Sequence, residues 1–199
     1  MTATMNDDIN PPPNFVPVAV VFEFSLGLLA MAVGWLLGVP VAETIYWKLP
    51  AVGWGVAAAG PPLVLAWLCL KCPLPALRRL LGVVDDLLVP LFRHCRIWEL
   101  AIISLAAGLG EELLFRAVAQ GTVAAWVGGT TGVWVGLIVG ALLFGLMHPI
   151  TATYALLAGL IGLYLGWLWI ATGNLLVPIT THAVYDFLAL LYLIRVRCR

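Results

Sequence analysis

Between Val18 and Ile194 the chain is a succession of apolar stretches, each about 20 residues long, separated by short polar connections. A bilayer core about 30 Å thick is crossed by roughly 20 helical residues, so this spacing prescribes an all-α, polytopic transmembrane helical bundle. Six crossings are expected, over 18–37, 52–70, a part of 97–127, 133–148, 153–171 and 175–194. Composition agrees: 63% of the 199 residues are hydrophobic and only 10% are charged. A soluble domain carries roughly 25% charged residues, so most of this surface must face lipid.

The ten basic and ten acidic residues cancel, which leaves no electrostatic case for nucleic acid. Their placement is more informative. Lys71, Arg78, Arg79, Arg93 and Arg96, half of the basic residues, fall in one connection. By the positive-inside rule that connection is cytoplasmic. Six spans then put both termini inside, with residues 1–17 a cytoplasmic tail and 18–199 one membrane domain. The tail has Asp7, Asp8 and Pro11-Pro12-Pro13 but no Lys or Arg, so the first apolar stretch reads as a retained anchor rather than a signal peptide. Within the basic connection Leu77, Leu80, Leu81, Val84, Leu87 and Leu88 recur at helical spacing among charges, which describes an amphipathic helix lying in the interface.

Several smaller signals have ordinary readings. Cys69, Cys72, Cys95 and Cys198 are too few and too scattered for a disulfide framework and are expected as reduced thiols. Adjacent His94 and Cys95 chelate one ion poorly, so Cys69-x-x-Cys72 with His94-Cys95 is not read as a zinc knot. Pro61-Pro62 should kink the second span. The glycines at 159, 162 and 166 should let helix backbones approach closely. Glu23 lies inside the first span and could line a cavity, but near the start of that span it is expected to reach the interface.

Charges inside spans are costly and need a reason. Here they are Glu111, Glu112, Arg116, His148, His182 and Asp186, all in the C-terminal half. Residues four apart share a helix face, so Glu112 is matched to Arg116 and His182 to Asp186. Glu111 is left without a local countercharge, available for general-base work. Glu111 lies 19 residues before Thr130 in the Gly-rich turn, and His148 lies 18 after it. Antiparallel helices bring the two to one depth, roughly 27 Å from the turn at about 1.5 Å per residue. His182 follows the turn near Gly173 by only nine residues. It should lie about 14 Å down, a mismatch that tilt or a helix break must absorb.

Three patterns stand in order on successive apolar segments. Glu111-Glu112-Leu113-Leu114-Phe115-Arg116 fits Glu-Glu-x-x-x-Arg, Phe144-Gly145-Leu146-Met147-His148 fits Phe-x-x-x-His, and His182-Ala183-Val184-Tyr185-Asp186 fits His-x-x-x-Asn/Asp. Together they resemble the CAAX protease and bacteriocin-processing family, over about 97–191. Ala117 stands where that family often has Gly, and Asp186 where its prenyl-protein endopeptidases have Asn.

The resemblance implies a glutamate-type intramembrane endopeptidase of bacterial inner-membrane kind, acting on a membrane protein or peptide within the lipid bilayer. By the same resemblance Glu111 with His148 activates the attacking water, His182 with Asp186 serves the oxyanion, and Glu112, Arg116 and Phe144 support the site. No cofactor is expected. The chemical alternative is zinc held by Glu111, His148 and His182, an O/N/N set, although His-Glu-x-x-His is absent. The same polar residues would also suit helix glue in a non-catalytic scaffold or immunity protein. A proton-coupled transporter is a third reading, with no inverted repeat visible to support it.

Overall fold

In the computed structural model, which describes residues 15–197, the uninterrupted apolar run at the start forms α1 (Phe15–Leu37). Most of the expected N-terminal tail, together with Cys198 and Arg199, lies outside the described residues. A 3₁₀ turn (Val41–Thr44) and an extended segment lead to α2 (Leu49–Ala58) and α3 (Gly60–Lys71). The basic connection holds α4 (Pro75–Val83), a π-helical stretch (Val84–Leu88) and α5 (Val89–Phe92). Then come α6 (Ile97–Glu112), a second π-helical stretch (Leu113–Gln120), α7 (Gly121–Val127), α8 (Gly129–Leu146), α9 (Ala152–Thr172) and α10 (Leu176–Tyr192), the last running into a π turn (Leu193–Arg197). No strand occurs among the described residues.

Five helical segments are long and apolar enough to cross a bilayer: Phe15–Leu37, Leu49–Lys71, Gly129–Leu146, Ala152–Thr172 and Leu176–Arg195. The third expected span, placed within 97–127, lies in an unbroken helix in three parts, but its Glu99, Glu111, Glu112 and Arg116 keep it out of that set. Large apolar side chains cover the outer surface, with Trp35 81% and Leu49 85% exposed, as lipid-facing positions require.

Pro61 and Pro62 divide the second span into α2 and α3. In an unbroken helix residue 62 would donate to the Ala58 carbonyl, and proline has no N–H to give. The Tyr164 hydroxyl donates to that carbonyl instead, at 2.9 Å. α1 and α6 approach as backbones: a Cβ on Gly110 would collide with the Glu23 carbonyl oxygen, and one on Gly27 would lie 3.6 Å from Gly110 Cα. The glycines of α9 act similarly, since a Cβ on Gly162 would sit 3.2 Å from Phe144 Cβ.

The depth mismatch at His182 is removed by sinking the turn before α10. Asn174 to Ile179 are all buried. Buried turns need partners for their backbone, and the α1–α2 connection supplies them. Asn174 Oδ1 accepts from Tyr46 N–H at 2.9 Å and from Leu176 N–H at 3.0 Å, and its Nδ2 donates to Tyr46 O at 2.8 Å. Leu175 N–H donates to Thr44 O at 2.9 Å. With the turn clamped inside the bundle, α10 runs beside α6, where a Cβ on Gly108 would meet Ile179 O at 2.9 Å.

Candidate active site

The polar residues of α6 lie at the junction where the helix widens into π geometry, with Gly121 N–H donating to Arg116 O five residues back. π stretches inside α-helices often accompany functional sites, and nothing in the hydropathy pattern announces this one. Glu112 and Arg116 are completely buried. Arg116 Nε lies 3.0 Å from Glu112 Oε2 and Nη2 lies 3.4 Å from Oε1, a two-point ion pair. The guanidinium carbon also stands 4.7 Å from the centre of the Phe144 ring.

Glu112 has a second partner that helical spacing does not reveal. His182 Nδ1 lies 3.0 Å from Glu112 Oε1, joining α6 to α10 across 70 residues of sequence. On its other side His182 Nε2 is 3.4 Å from Asp186 Oδ2. His182 is thus held between two carboxylates, and its orientation comes chiefly from Glu112 and Arg116.

His148 stands just past the end of α8, in the turn before α9, rather than on the span where the sequence reading put it. Its backbone N–H donates to Gly145 O at 3.1 Å. Its Nδ1 is 2.7 Å from Phe144 O. A carbonyl can only accept, so this contact assigns the proton to Nδ1 and leaves the Nε2 lone pair free in the neutral ring. Nε2 lies 3.8 Å from Glu111 Oε2, too far for a direct hydrogen bond. The His148 ring also packs on Phe144, centroid to centroid 4.7 Å.

Glu111, Phe144, His148, His182 and Asp186 line one cavity of about 620 Å³. Its walls include Trp67 and Cys69 of α3, Leu80 of α4, Val84 and Leu88 of the first π stretch, Phe92 of α5, and Tyr154 and Tyr185. The basic connection therefore forms part of the cavity wall, as well as an amphipathic surface. Glu23 lines the cavity too, with Oε2 buried and without a hydrogen-bond partner among the described residues. It points inward, where the sequence reading sent it to the interface. A lone carboxylate in an otherwise apolar span was the available signal. Tyr154, whose ring lies 5.8 Å from that of His148, had no signal.

The proposed zinc ligands fit poorly as placed. His182 Nδ1 is taken by Glu112 at 3.0 Å, and its Nε2 lies 3.4 Å from Asp186 Oδ2. Among the described residues no three His, Cys, Asp or Glu side chains converge as metal ligands. Cys69, Cys72 and Cys95 are free thiols, and burial pushes the Cys95 thiol up from its ordinary range, which suits an inert core residue.

Comparison with known proteins gives one finding on this region. Residues 93–188, just under half of the chain, match the family model described as type II CAAX prenyl endopeptidase Rce1-like. The matched stretch contains all three motifs and runs from the end of the basic connection into α10. No curated protein and no solved structure matches the chain.

Proposed function

Because the C-terminal half of this integral membrane protein is of the CAAX endopeptidase type, we propose that it hydrolyses peptide bonds of a membrane-associated protein or peptide with a water activated by Glu111 and His148. The observation that carries the reading is the pair itself. A carboxylate oxygen and an imidazole lone pair, 3.8 Å apart, face one cavity with no hydrogen bond between them. A water there gives one hydrogen to Glu111 Oε2 and the other to His148 Nε2. Its oxygen lone pairs are then directed at a carbonyl carbon seated in the cavity.

In the attack Glu111 takes a proton as the water oxygen bonds to the carbonyl carbon, and negative charge develops on the carbonyl oxygen. His182 is suited to receive it. Its Nδ1–H is anchored on Glu112, and its Nε2 is held only loosely by Asp186, at 3.4 Å. The proton shared between Nε2 and Asp186 can be donated to the oxyanion, an interaction that strengthens as the charge forms. The C–N bond then breaks as Glu111 returns its proton to the leaving nitrogen, giving a carboxylic acid and an amine. The Glu112–Arg116 pair holds His182 in place and touches no reacting atom.

The cavity wall formed by α4, α5 and the π stretch between them carries the basic connection, and the positive-inside rule assigns that side to the cytoplasm. On this reading cleavage takes place at the cytoplasmic face, in a bacterial-type inner membrane by the family resemblance. The test is purified protein against a peptide library read by mass spectrometry, with Glu111→Gln and His148→Ala alongside. Loss of a general base costs about 10²–10⁴ in rate. Undiminished cleavage by either variant would sink the proposal.

A further inference from the structure

The acidic residues lining the cavity are Glu23, Glu111 and Asp186; among the described lining residues there is no Lys or Arg, and the His182 imidazole is already held by Glu112 and Asp186. Arg116, the nearest cation in sequence to the first motif, is fully buried and spent on Glu112. Of the three carboxylates, Glu111 faces His148 and Asp186 faces His182. Glu23 has no such partner. Its Oε2 is shielded from solvent and accepts no hydrogen bond from the described residues.

The backbone brings Glu23 to the cavity wall. The Glu23 carbonyl packs directly on Gly110, the residue before Glu111, so the two carboxylates are delivered to one cavity from two helices in contact. Glu23 as a whole is partly buried, but a carboxylate oxygen shielded without a donor still costs free energy that a ligand donor would recover. A donor carrying positive charge does so best, because the remaining cavity charge is negative too.

We propose that Glu23 is a specificity-determining residue that receives a cationic side chain, Lys or Arg, of the substrate segment flanking the scissile bond. The inference deepens the endopeptidase reading and rests on it for the word substrate. Charge selection would then come from α1, outside the matched stretch, while chemistry stays on α6, α8 and α10. A peptide with a free carboxylate at that subsite would be disfavoured by the same charge.

Binding tests the proposal without turnover. Glu111→Gln protein in a neutral detergent is titrated with acylated, fluorescent peptides identical except for a central Lys, norleucine or Glu. The Lys peptide is expected to bind roughly tenfold to a hundredfold more tightly than the norleucine peptide, the range of a charge-assisted hydrogen bond, with the Glu peptide weakest. Adding Glu23→Gln should bring the Lys and norleucine affinities together. Equal affinities before that substitution, or an unchanged ratio after it, overturn the assignment; the first result needs no Glu23 variant to fold. A wild-type protein that cleaves none of the peptides counts against the endopeptidase reading alone, since the binding ratios still decide Glu23.

Discussion

Replacing Arg116 by Met keeps most of the side-chain volume and removes the guanidinium paired at two points with Glu112. Both partners are completely buried, so Glu112 loses its two-point partner and keeps only the single His182 contact. Breaking a buried pair in this way costs about 3–5 kcal/mol. For a domain of 150–250 residues each kcal/mol moves Tm by about 2–4 °C, so the variant should melt roughly 6–20 °C below the parent. Tryptophan fluorescence during heating in detergent reads this directly. The companion variant Glu112→Gln/Arg116→Met removes both charges and keeps a carbonyl to accept from His182 Nδ1–H. It should regain most of the loss, since neutral replacement of a buried pair is often tolerated. A single variant melting within about 2 °C of the parent, or a double variant no better than the single, would refute the view that this pair is a desolvated charge couple.

Two further outcomes are expected. Activity should persist after chelation, and elemental analysis should find no stoichiometric metal, because no three ligand side chains converge among the described residues; about one zinc per chain, lost together with activity, would overturn this. Tyr164→Phe should destabilise the protein by about 1–3 kcal/mol by leaving the Ala58 carbonyl without a donor, and an unchanged melting temperature would show that the kink satisfies itself.

Local regularities carried much of the design. Apolar stretches of bilayer length determined the helical class and most helix boundaries, because a chain in lipid has few other ways to satisfy its backbone. Four-residue spacing paired Glu112 with Arg116, since the helix itself brings them together. Equal distances from one hairpin turn put Glu111 opposite His148, and the three motifs were legible as a resemblance that the match over 93–188 shows.

What tertiary structure alone decided are contacts between segments distant in the chain. The Asn174 clamp on Tyr46 lowers His182 to the level of Glu112, and only then can that carboxylate serve two partners. The π stretch after Glu112 left no trace in hydropathy, and the Tyr164 bond that completes the proline kink spans 106 residues. Glu23 shows the division most clearly. Its charge in an apolar span was visible in the sequence, but whether it reached lipid interface or cavity depended on which face of α1 met Gly110. That choice is made by packing between helices, and hydropathy along one helix does not contain it.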